Sequence, residues 1–83
     1  MGGKKTRDGL KLTDIVRVAT EIGARLREGA SHIYILNYEG LRACPVATST
    51  HAERMVAPWL AQASGRSKQE AYQAMRRGYW EAN

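Results

Sequence analysis

A change of hydrophobic period constrains this chain more than any other feature. Over residues 13–23 the apolar side chains Ile15, Val18, Ala19 and Ile22 recur at i, i+3, i+4 and i+7, with Leu26 next on the same stripe. That is one face of a helix. Thr13 is placed to cap its start, Asp14 suits the positive end of the dipole, and Gly23 can take the left-handed conformation that ends it. Past Gly23 the period shortens. The run His32-Ile33-Tyr34-Ile35-Leu36-Asn37-Tyr38 is rich in β-branched and aromatic residues and reads as a strand. Ile33 and Ile35 point one way, and His32, Tyr34 and Leu36 the other. A helix of this length needs its stripe covered, and a short sheet beside it is the economical cover.

The remaining elements follow from punctuation. Leu26 lies in a short, edge-like strand, and Gly29 and Ala30 make the connection to the next one. Glu39-Gly40 is a two-residue hairpin signal, with a return strand over residues 41–47. Pro45 has no N–H for a ladder, so it marks an edge or an end. Thr50 followed by Glu53 fits a capping box, yet Pro58 would then fall inside the helix. Either the helix starts near residues 55–58 or a short turn precedes it. Trp59, Leu60 and Ala63 supply its buried side, and Ser64-Gly65 ends it. Ser67-Lys68-Gln69-Glu70 is a cleaner capping box and opens a last helix with Ala71, Tyr72, Met75 and Tyr79 near one face.

The expected fold class is α+β: a three-stranded antiparallel sheet packed against helices, in the order α-β-β-β-α with an extra C-terminal helix. With 83 residues, one modest core is the limit. Residues 1–11, with three glycines and alternating charge, read as a flexible basic tail, and residues 12–83 as a single domain.

Charge narrows the partners. Thirteen Lys and Arg against eight Asp and Glu leave +5. Lys4, Lys5, Arg7 and Lys11 against Asp8 give +3 at one end, and Arg66, Lys68, Arg76 and Arg77 against Glu70 give +3 near the other. Such a balance suggests an anionic partner, nucleic acid first, although two solvated basic ends explain the charge equally well. A single cysteine, Cys44, excludes an intrachain disulfide and a cysteine-rich zinc site, and it fits a reducing, cytoplasmic setting. No apolar run reaches the ~18 residues of a membrane span.

Several enzyme classes lack their parts, since there is no P-loop, no Gly-x-Gly-x-x-Gly, no His-Glu-x-x-His and no Gly-x-Ser-x-Gly. His32 is a candidate general acid or base, whereas His51 sits in a polar loop where capping is the default. Cys44 reads as a small buried filler, Trp59 as core, and Trp80, among Arg76, Arg77 and Tyr79, as a contact surface for a partner.

The order of these signals, the Gly29-Ala30-Ser31-His32 run, the strand ending near Pro45, the His51 loop and the segment from Trp59 to Ala71 together resemble the HicA family of mRNA interferase toxins over roughly residues 13–72. Ile33 stands where many members have a second histidine, and an alanine precedes Ser31. The resemblance implies a double-stranded-RNA-binding-domain-like fold, cleavage of RNA without metal or other cofactor, and a HicB-like antitoxin as protein partner. It carries the catalytic role to His32, which would assist attack of a ribose 2′-OH on the adjacent phosphate. Arg25, Arg27, Ser31, Arg42, Lys68, Arg76 and Arg77 are the candidate RNA contacts. The competing readings are a non-catalytic RNA-binding module and a small phage or plasmid protein-interaction domain on the same fold.

Overall fold

The computed structural model describes residues 4–29 and 34–81. Three helices and a three-stranded antiparallel sheet follow one another as α1 (Leu12–Glu21), β1 (Arg25–Glu28), β2 (Tyr34–Asn37), β3 (Cys44–Val46), α2 (Ala57–Ser64) and α3 (Lys68–Arg77). This is the α+β class and the helix, three strands, two helices order that the sequence predicts. Among the described residues no helix is long and apolar enough to cross a membrane.

Helix α1 buries Leu12, Ile15, Val18 and Ala19 along the predicted stripe, and Gly23 takes a φ of +95° just past its end. Its start differs from expectation. Lys11, not Thr13, occupies the cap position and makes no side-chain capping bond. The Leu12 N–H is satisfied instead by the carbonyl of Lys4 at 2.9 Å.

That bond belongs to a folded N-terminal loop. Residues 4–11, expected as part of a tail, close on themselves through a bridge between Lys5 and Lys11 and a 2.7 Å bond from Thr6 N–H to the Leu10 carbonyl. Arg7 N–H reaches the Thr50 carbonyl at 2.9 Å, and both Thr6 and Leu10 are buried. The domain therefore begins at least as early as Lys4. Apolar Leu10 and Leu12 on either side of Lys11 anchor what the charge pattern alone presents as solvated.

The sheet order is β1-β2-β3. Leu26 lies opposite Leu36, and Leu36 opposite Cys44. This set turns towards the helices, with Leu36 and Cys44 buried. The alternate set, Arg27, Ile35 and Pro45 with Arg25 and Asn37, forms the outer face. Pro45 sits in the middle of an edge strand and is exposed, as a residue without an N–H requires. The connection from β2 to β3 is longer than a two-residue hairpin. A turn closes over Glu39-Gly40, with Leu41 N–H on the Tyr38 carbonyl and Gly40 at a φ of +83°, but pairing resumes only at Cys44.

Pro58 is accommodated by a change of helix type. A π-helical turn (Ala52–Val56) leads into α2, so the proline falls in the first turn of the α-helix, where a missing N–H costs least. Thr50 does not act in a capping box; its hydroxyl accepts from Ala47 N–H at 3.0 Å. Ser67 and Glu70 do form their reciprocal box at the start of α3.

Ile15, Leu36, Leu60, Met75, Val18, Val46 and Val56 are the largest fully buried side chains. Truncating one such Leu, Ile or Met to alanine costs about 2–5 kcal/mol. Trp59 is buried and donates its indole N–H to the Arg42 carbonyl at 2.6 Å, with Tyr38 edge-on at 6.4 Å. Trp80 is half-buried. Its indole N–H takes the Val18 carbonyl at 2.8 Å, and the Arg66 guanidinium stacks 5.3 Å from its ring.

Candidate nucleic-acid interface

The cationic residues fall on two separate surfaces. Helix α3 packs chiefly on α1, α2 and the π-turn, so α1 and the π-turn lie between it and the sheet. Arg25 and Arg27 project from the exposed edge strand β1 onto the outer sheet face. Lys68, Arg76 and Arg77 are exposed on α3, on the far side of the helical layer. Arg42 is exposed in the β2–β3 connection, held there by its carbonyl bond to Trp59. The predicted catalytic His32 and its neighbour Ser31 lie outside the described residues.

The larger concentration of charge surrounds α3. Its capping box fixes the first turn, and spacing by four places Lys68, Tyr72 and Arg76 along one outward row, with Gln69, Gln73 and Arg77 beside it. The N-terminal loop runs alongside. Between them lies a groove of about 520 Å³ lined by Lys5, Lys11, Arg76 and Arg77, with Tyr72 at its wall and Asp8 and Asp14 as its acidic members. A second groove of about 690 Å³ continues past Tyr72 to Lys68, Arg54, Gln69 and Gln73, with Glu53 as its acidic member.

Both groove aspartates are otherwise engaged. Asp14 pairs with Arg17 at 3.8 Å. The Asp8 carboxylate accepts from Ala52 N–H at 2.8 Å, Glu53 N–H at 3.0 Å and the Thr6 hydroxyl at 2.7 Å. Burial works to raise its pKa, but the N–H groups of Ala52 and Glu53 and the Thr6 hydroxyl outweigh it and hold the carboxyl below its ordinary value. Among the described residues, Lys5, Lys11, Arg76 and Arg77 make no ion pair. Arg77 instead stacks on the Tyr79 ring, 5.4 Å from its centre.

The other polar candidates are structural. His51 accepts the Arg54 N–H on Nδ1 at 3.4 Å, with Asp8 Oδ2 3.7 Å away, which makes it the cap of the π-turn. Cys44 is buried, and that burial pushes its thiol up to about 11, so it is no nucleophile near neutral pH. Among the described residues no three of His, Cys, Asp and Glu converge on a metal position.

Sequence reasoning found Lys68, Arg76 and Arg77 but set Lys5 and Lys11 aside with the tail. The pairing of these lysines with α3 is a tertiary fact. Its one local signal is the apolar pair Leu10 and Leu12 around Lys11. The chain matches no protein-family profile, no curated protein and no solved structure. The class the coordinates define is therefore a small α+β domain with a cationic groove between its N-terminal loop and its last complete helix.

Proposed function

We propose that this protein binds RNA along the α3 groove and is a toxin-like ribonuclease of the mRNA-interferase kind. The single observation that carries the binding is the set of Lys5, Lys11, Arg76 and Arg77 around one groove, where they outnumber Asp8 and Asp14 and make no ion pair among the described residues. A row of cations spaced along a helix suits a phosphate backbone, and the half-buried Tyr72 between the two grooves offers a ring face to an unstacked base. The helix order supports the reading, since it agrees with that implied by the resemblance to the HicA family.

Cleavage rests on His32. In this reading its imidazole takes the proton of a ribose 2′-OH, the 2′-oxygen bonds to the adjacent phosphorus as the P–O5′ bond breaks, and the departing 5′-oxygen takes a proton from water, leaving a 2′,3′-cyclic phosphate. A HicB-like antitoxin is the protein partner that goes with it. The second reading, a non-catalytic RNA-binding module, is favoured by one feature: the described residues that line the groove all come from the N-terminal loop, α1 and α3.

The test is RNA binding and cleavage at several salt concentrations. Four phosphate contacts give a log–log salt slope of about −3 to −4. Arg76→Ala with Lys11→Ala reduces that slope by about two and lowers affinity at least tenfold. His32→Ala abolishes cleavage and leaves binding intact. Affinity indifferent to salt removes RNA from the reading. Binding with no cleavage by the unaltered protein leaves the module.

A further inference from the structure

We propose that the free edge of β1 accepts an extended strand from another protein, one that carries carboxylates at alternate positions. All four residues of β1 are exposed, Leu26 at 41%, and among the described residues no strand but β2 pairs with it, along one edge. The opposite end of the sheet is closed to the same use, because Pro45 occupies the centre of β3. A strand adding to β1 gains main-chain hydrogen bonds from its edge and side-chain pairing on its faces.

Charge selects the occupant. Arg25 and Arg27 share the outer face, where their neighbours on β2 and β3 are Asn37, Ile35 and Pro45; Glu39, just past β2, lines the same groove as Arg25, but no ion pair joins them. Directly opposite residues in an antiparallel pair share a face. A second copy of this chain, joined with both sheets facing the same way, sets Arg25 opposite Arg27 or an arginine opposite its own equivalent. Every such register places like charges in contact, so the edge refuses itself. An incoming strand with Glu or Asp at every second position meets both guanidinium groups with opposite charge, while its intervening apolar residues meet Leu26. RNA needs a run of cations along a groove, which α3 and the N-terminal loop supply, whereas this edge offers two cations on a flat face beside Ile35 and Pro45.

The experiment titrates the full chain, isotope-labelled, with the peptide Glu-Val-Glu-Val-Glu and follows amide resonances. The proposal expects shifts confined to Arg25–Glu28 and slowed amide exchange there, with Lys-Val-Lys-Val-Lys inert. N-methylation of the peptide along one edge abolishes binding, and along the other edge leaves it. Arg25→Glu with Arg27→Glu reverses the preference, weakening the acidic peptide at least tenfold and admitting the basic one. The proposal is overturned if neither peptide perturbs β1, if both N-methylated forms bind, if an RNA oligonucleotide perturbs β1 where the acidic peptide does not, or if the chain alone dimerises through β1. The N-methyl comparison uses the unaltered chain, so it decides the matter even if the double variant fails to fold.

Discussion

The Asp8 carboxylate ties together two segments 44 residues apart in the chain. It caps the N-terminus of the π-turn from outside it, where the first N–H groups lack partners within the turn. Asp8→Ala is expected to cost about 1–2 kcal/mol near neutral pH, the range for a lost N-cap. Because the folded state holds this carboxyl below its ordinary value, its contribution is complete above the unfolded pKa and is lost as pH falls through the folded one. Denaturant midpoints of the two proteins should therefore differ by a constant amount above about pH 5 and converge below about pH 4. A gap that is the same at pH 3 and pH 7 would refute the charged cap.

At the scale of elements, α1 and α3 are joined at the Trp80 indole. The Ile22 N–H turns back to the Ala19 carbonyl, which leaves the Val18 carbonyl for the Trp80 N–H. Trp80→Phe keeps a ring for Arg66 to stack on but removes that donor. The expected loss is about 1–3 kcal/mol, the cost of an unsatisfied buried acceptor, read as a lower thermal midpoint with an unchanged spectrum of secondary structure. An unaltered midpoint would mean that water replaces the indole at no cost.

These two contacts also explain what the sequence makes legible. Elements whose signals are local are readable: the stripe from Ile15 to Ile22, the Ser67–Glu70 box, Gly23, and Pro45 on an edge. Misread positions are those whose partners are remote. Thr13 and Thr50 both look like caps, but the start of α1 is satisfied by Lys4 and the start of the π-turn by Asp8. The bond of the Trp80 indole is equally illegible, because its acceptor lies 62 residues back. The candidate site divides in the same way. The three cations of α3 are local to one helix, and the two lysines that complete the groove arrive from the other end of the chain.

For the whole molecule, the N-terminal loop is structural as well as charged. Its removal exposes Leu12, discards buried Leu10, opens the Leu12 N–H and withdraws the Asp8 cap. Burial of one leucine is worth about 1.5–3 kcal/mol and the cap about 1 more. A domain of this size has a total stability of about 4–12 kcal/mol. Deleting residues 1–11 should therefore lower the thermal midpoint by at least 10 °C or leave the chain unfolded at 37 °C. A truncated chain that melts with the full one would return those residues to the status of a tail.

The seating of Trp80 on the Val18 carbonyl has a consequence for how the polypeptide comes into being. During translation α1 emerges early, with one carbonyl near its end unclaimed. The group that claims it is made only after both later helices. Until then the nascent chain can collapse but cannot close, and emergence of Trp80, rather than of the sheet, is the event that seals α1 against the segment after α3.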